Sequence, residues 1–232
     1  MKQNDEMKSK EALLGETLLF SLLGRALYNQ PDKDWLNSLI GEDVFSEVPF
    51  SAEKSETKRG QELMQTWGQK NAEGIDDEQF KELEADYTRL FVGVGQVLAP
   101  PWESVYFNED RMIFQKQTLD VRSWYRRFGL ELENLHKEPD DHIGLEMSFV
   151  AFLAELGVKL LDEQDEEKFQ ALYDAKCQFL SEHLLKWGLI WCALVNEHAE
   201  TDFYQGLAHL TAGALLAVAD KYSLQVQKEV AP

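Results

Sequence analysis

Cysteine is almost missing from this chain: Cys177 and Cys192 are the whole complement, with no C-x-x-C spacing and no matched framework. A disulfide-stapled fold is therefore not indicated, and a reducing, cytoplasmic setting is expected. Basic charge is also in short supply. Lys and Arg number 23 against 42 Asp and Glu, a formal net charge of -19. Such a field repels phosphate backbones, which argues against nucleic acid as a partner, and it attracts cationic segments. Long apolar runs are lacking as well. The longest, around Leu189 to Val195 and Ala212 to Ala219, fall far short of the ~20 residues a membrane span requires, so no stable membrane insertion is expected. Met1 to Glu11 is hydrophilic and mixed in charge, without the basic start and apolar stretch of a signal peptide. No alternating strand pattern with hairpin turns occurs, and no internal repeat or low-complexity segment.

What the chain does have is helical period. Leu13, Leu14, Leu18, Leu22 and Tyr28 trace a first helix that Pro31 ends, and a short helix follows around Trp35 to Ile40. Leu63, Met64 and Trp67 lie on another, closed by Asn71 to Gly74. Asp76 or Asp77 caps the next, whose apolar face reads Phe80, Leu83, Tyr87, Leu90 and Phe91. From Gly93 to Gln115 no helical period is sustained; Trp102, Val105, Tyr106 and Phe107 make this stretch too apolar for disorder, so an ordered loop lying on the core is expected. A helix over Thr118 to Phe128 ends at Gly129, and Glu138-Pro139 marks a lobe boundary. Beyond it come a buried helix with Leu145, Phe149, Leu153 and Leu160, a long helix from Phe169 through Trp191, and a last one from Phe203 to Val218. The fold class is all-α, a bundle-like packing of helices face to face.

Candidate chemistry concentrates in Glu138-Pro-Asp-Asp-His-Ile-Gly-Leu-Glu146. Its structural reading is a helix start, with Glu138 or Asp140 as cap and Pro139 in the first turn. His142 and Glu146 are four apart on one face, as two metal ligands would be, but no second His is near in sequence. Asp141 beside His142 offers a carboxylate that can fix the imidazole tautomer. His183, among Leu180, Leu184 and Trp187, reads as a core histidine; Cys177 and Cys192, fifteen apart on one helix, read as packing residues. Gly93-Val-Gly95 lacks the Lys and Ser/Thr of a phosphate loop, Ser104 has no evident base, and Arg126-Arg127-Phe128 reads as a solvated helix face.

Three segments are distinctive together. Tyr87-Thr-Arg-Leu-Phe-Val-Gly93, Ala99-Pro-Pro-Trp-Glu-Ser-Val-Tyr106 and Glu138-Pro-Asp-Asp-His-Ile-Gly-Leu-Glu146 resemble, in order and spacing, the signatures of the TorD/DmsD family of redox-enzyme maturation chaperones. The resemblance runs from about Tyr87 to the C-terminus. It implies a single all-helical domain with an N-terminal lobe over about 1–130, a hinge over about 129–138 and a C-terminal lobe over about 139–232. It also implies a cytoplasmic, non-catalytic chaperone that needs no cofactor of its own. Its partners would be the twin-arginine leader and the catalytic subunit of a molybdenum-cofactor reductase, of the dimethyl sulfoxide or trimethylamine N-oxide type, with cofactor insertion assisted before export. The leader-binding residues it implies are Leu90, Phe91, Pro101, Trp102, Tyr106, Asp141 and His142. Monomer and domain-swapped homodimer both stay open. The rival classes are a helical adaptor for a folded partner and a metal-dependent enzyme using His142 and Glu146.

Overall fold

In a computed structural model that describes residues 9–93, 97–131 and 138–227, the stretches of helical period become nine α-helices among the described residues. α1 (Lys10–Tyr28) begins at Ser9, whose hydroxyl accepts from the Ala12 N–H at 3.4 Å. α2 (Lys33–Gly41) is capped by Asp32. α3 (Ser55–Lys70) and α4 (Asp77–Tyr87) follow, the latter opened by a reciprocal capping box between Asp76 and Gln79. α4 runs on into a π-helical turn, Thr88–Val92, and ends at Gly93, whose φ of 71° is open to glycine at little cost. Among its described residues the connection that follows contains one 3₁₀ turn, Glu103–Tyr106. Then come α5 (Lys116–Arg127), α6 (Ile143–Asp162), α7 (Glu166–Glu182), α8 (Leu184–His198) and α9 (Asp202–Tyr222). Among the described residues no helix is long and apolar enough to cross a membrane.

Two pairings organise the core. α1 lies along α6, and α3 lies along α9, while α7 and α8 complete the wall around them. The α1–α6 crossing is close because glycine stands on both sides of it. A Cβ on Gly144 would sit 2.7 Å from the Tyr28 backbone nitrogen and 2.8 Å from the Gly24 carbonyl oxygen. This crossing brings the start of α6 against the end of α1, which is what sets Tyr28 beside His142. Trp187, Trp191, Tyr204, Phe20 and Phe179 fill the interior.

The helices fall where periodicity places them, with three corrections. The long helix expected from Phe169 through Trp191 is broken at His183, whose φ of -124° and ψ of -97° leave helical space. Cys177 and Cys192 consequently belong to different helices, α7 and α8, and both are free. Neither Glu138 nor Asp140 caps α6, and Pro139 is not in its first turn; the helix starts at Ile143 and His142 is its cap. Of the expected hinge over 129–138, residues 132–137 lie outside the described residues.

Candidate functional site

The apolar connection is laid across the start of α6 by a short ladder. The Ala99 N–H donates to the Leu90 carbonyl at 2.9 Å, tying the connection to the π-helical turn. Trp102 and His142 then form an antiparallel bridge, with Glu103 N–H donating to the Asp141 carbonyl at 2.9 Å and Ile143 N–H to the Pro101 carbonyl at 2.7 Å. The Asp141 carboxylate locks this arrangement. One oxygen accepts from the Ser104 N–H at 2.8 Å and the other from the Thr118 hydroxyl at 2.7 Å. Asp140 turns the other way and is gripped by Arg122 through both Nε and Nη2, the latter at 2.7 Å. The Arg122 guanidinium is held more firmly in its charged form by that hydrogen bond. Loop, α5 and the start of α6 are thereby fixed to one another.

Outward from this frame stands a small aromatic and acidic patch. The Trp102 indole is half-buried, and its Nε1–H donates to Glu138 Oε1 at 2.7 Å. His142 packs between two rings edge-on, Tyr28 at 5.2 Å and Trp102 at 6.2 Å between centroids. Burial depresses the His142 pKa to about 3, so the ring is neutral across the physiological range. Its Nδ1 accepts from the Gly144 N–H at 3.0 Å, which leaves the proton on Nε2 as a donor. Burial raises the Glu138 carboxyl, with the Asp141 charge adding to it and the Trp102 hydrogen bond opposing. Burial raises the Tyr28 and Tyr87 hydroxyls, and the Glu138 charge adds to both.

Behind the patch lies a buried polar layer. Glu103 Oε2 meets His183 Nδ1 at 2.8 Å, and Trp187 Nε1–H donates to Glu146 Oε2 at 3.3 Å. Burial raises the Glu146 carboxyl well above its ordinary range, reinforced by the Glu103 and Asp141 charges. Burial raises Glu103 as well, against the pull of His183. Tyr106 donates to the Pro100 carbonyl at 2.8 Å and packs, tilted, against Trp187 at 5.2 Å between centroids. Trp191 Nε1–H reaches the Ala99 carbonyl at 3.2 Å. The polar layer is therefore the underside of the connection.

The residues singled out from sequence divide between these two layers. Pro101, Trp102, Asp141 and His142 meet at the bridge, and of the four only Trp102 is more than marginally exposed. Leu90, Phe91 and Tyr106 are interior: Phe91 packs on Tyr87, Trp191 and Tyr204. Asp141, 0% exposed, does not hold the imidazole of His142; it holds the loop instead. His142 and Glu146 do not converge, because Nδ1 of His142 serves as the helix cap and Glu146 faces Trp187. Tyr28, Glu138, Glu103, Thr118 and Arg122 take part without having been read as site residues. Glu138 and Glu103 fall inside the quoted signatures and were within reach; nothing local marks Thr118.

A half-buried carboxyl beside Trp102, with an imidazole N–H nearby, suits a cationic group. Carboxylate and ring faces favour a planar guanidinium, while Nε2–H of His142 and the Tyr28 hydroxyl are hydrogen-bond donors.

The family model described as "Nitrate reductase delta subunit" matches residues 57–193. A DmsD-type Tat proofreading chaperone of Haemophilus influenzae is 33% identical over 129 residues, 56% of each chain. The chaperone protein TorD of Aliivibrio fischeri is 27% identical over 188 residues, 76% of this chain and 86% of that one. The match thus spans about half the length of the first of these relatives. A crystal structure of a redox enzyme maturation protein from Archaeoglobus fulgidus superposes with a TM-score of 0.51, at 21% identity, over 85% of this chain and 91% of the other, a likeness of fold.

Proposed function

The chain belongs to the nitrate reductase delta subunit family, in the company of the TorD and DmsD chaperones, and from that premise we propose that it is a cytoplasmic chaperone for the twin-arginine leader of a molybdoenzyme. It performs no chemistry on its client. It holds the leader of the catalytic subunit while the molybdenum cofactor is inserted, and then releases it for export. The observation that carries this reading is the juxtaposition of Glu138, Trp102, Tyr28 and His142 at one junction. In this proposal Glu138 takes a leader arginine, Trp102 and Tyr28 cover its apolar flanks, and the Nε2–H of His142 meets the leader backbone. Leu90, Phe91, Pro101, Tyr106 and Asp141 act from behind by holding the loop and its floor.

Titration with a synthetic leader peptide, and with a copy whose two arginines are glutamines, tests it. Glu138→Gln should weaken the native leader and leave the glutamine copy nearly unchanged, whereas Trp102→Ala should weaken both. Truncation of such an aromatic anchor costs on the order of 2 kcal/mol or more. Equal losses for both leaders on Glu138→Gln would mean that no arginine is being read there. An unchanged affinity for Trp102→Ala with a lowered melting temperature would make Trp102 a structural plug instead.

A further inference from the structure

Six carboxyl side chains are buried among the described residues, and five of them are answered by a cation or by paired donors. Glu16 is gripped by Lys176 and by Lys221, the latter at 3.0 Å, and the Tyr222 hydroxyl donates to it at 3.0 Å. Asp86 holds Arg89 at 2.7 Å and accepts from the N–H groups of Glu200 and Thr201. Asp140 has Arg122, Asp141 has the Ser104 N–H and the Thr118 hydroxyl, and Glu103 has His183. Glu146 is the exception. It is 0% exposed, its Oε2 accepts only the long bond from Trp187, its Oε1 has no partner, and it forms no ion pair among the described residues.

The groups turned toward Glu146 make a charge there harder still to carry. Glu103 from the connection and Asp141 from the start of α6 are carboxyls, and Tyr125 from α5 is a phenol. From the break between α7 and α8, His183 meets Glu103, on which Lys186 also acts. A buried carboxylate without a cation and with two acidic neighbours is far costlier than a buried acid with one unmet hydroxyl. The cover that keeps water from this carboxyl includes the connection. Tyr106 packs against Trp187, the same indole that donates to Glu146, and Glu103 lies on the underside of the same turn.

We propose that Glu146 is carried as a neutral acid and that its proton latches the Pro101–Tyr106 limb of the connection onto α6. When the limb lifts, water reaches the carboxyl, the O–H bond gives its proton to solvent, and the carboxylate that remains resists reclosure until it is protonated again. The limb also carries Trp102, so lifting it withdraws the indole from Glu138. That the same motion would open the leader site rests on the function proposed above; the latch itself does not.

The pH dependence has a definite sign. In the closed form burial raises the Glu146 carboxyl well above its ordinary value, to which it returns in water. Closure is therefore fully supported below about pH 4.5 and loses that support as pH rises toward the raised value, with the opening equilibrium growing up to about tenfold per pH unit between the two. Glu103 and His142 titrate on the same opening, but they stand in wild type and in Glu146→Gln alike, so a ratio of the two proteins isolates Glu146.

The test uses the full chain without any leader. Amide hydrogen exchange gives protection factors, corrected for the intrinsic effect of pH, for the Glu103 and Ile143 N–H groups that bridge the limb and α6. From about pH 5 to 8 the wild-type protection, divided by that of Glu146→Gln, should fall by up to about tenfold per pH unit. Glu146→Met, neutral and of similar length, should match Glu146→Gln, and either variant suffices if the other does not fold. Amides of α9 such as Leu210 should stay better protected than Glu103 and Ile143, which marks the opening as local. On the wild type at neutral pH, the infrared difference from the variant should contain the carbonyl band of a protonated carboxyl. A ratio indifferent to pH, a missing carboxyl band, or exchange at Glu103 and Ile143 no faster than at Leu210 each overturns the proposal.

Discussion

Glu138 and Asp141 are three residues apart, and their surroundings give them opposite work. Glu138 stands at the surface of the junction with one oxygen taken by Trp102, and burial raises its pKa above the ordinary 4.5. A guanidinium arriving beside it favours the ionised form, so binding and proton loss are linked. The sign follows: the leader binds the deprotonated carboxylate, so affinity should be full at neutral pH and fall as pH drops through the raised value. His142 adds nothing to that slope, since burial holds its pKa at about 3. Leader titrations over a pH series should show the fall in wild type and a flat profile in Glu138→Gln; a flat wild-type profile would remove Glu138 from the contact. Asp141 instead accepts from two donors inside the fold. Asp141→Asn turns an amide N–H toward one of those donors, at a cost of about 1–3 kcal/mol. Chemical denaturation should register that loss, and leader affinity per folded molecule should change less than the stability does.

Helix ends show which local rules suffice and which do not. Pro31, the Asp76–Gln79 box and Gly93 terminate or open helices by chemistry that is present within a few residues, and those boundaries are legible in sequence. The break between α7 and α8 is not. It contains neither Gly nor Pro, and His183 departs from helix where its ring meets Glu103, eighty positions earlier. The start of α6 failed for a similar reason: Asp140, a good cap by composition, is claimed by Arg122 of α5, and the role passes to His142. So the acidic cluster and the aromatic loop could be found from the chain, but the division between residues that face a ligand and residues that hold the frame could not, because it is decided by contacts across elements. The α1–α6 crossing gives a test at this scale. Gly144→Ala would drive a Cβ to 2.7 Å from backbone that cannot give way. Overpacking of this kind costs about 1–3 kcal/mol, and here it also pushes Tyr28 away from His142. Melting temperature and leader affinity should therefore fall together; a stability loss with intact affinity would show that the Tyr28–His142 contact is dispensable.

Taken whole, the molecule carries a formal charge of -19, which acts at a distance that no single carboxylate does. The Debye length is ~10 Å at 0.1 M salt, so the field steers a cationic peptide before any contact forms, and added salt removes it. Stopped-flow association of the native leader should slow as ionic strength rises, with dissociation little altered; the glutamine copy should show a shallower slope. An on-rate for the native leader indifferent to salt would confine the electrostatics to contact range. The order in which the helices are paired bears on something else, the making of the protein. The partner of α1, α6, comes more than a hundred residues after it, and α3 waits for α9. During synthesis, then, an early helix leaves the ribosome with its apolar side unmatched and stays so until most of the chain has been translated. A chain arrested before α9 leaves Gly60 and the rest of that α3 face bare. A protein of this architecture is itself a dependent nascent chain, with an apolar helix face open to aggregation until α9 has been translated.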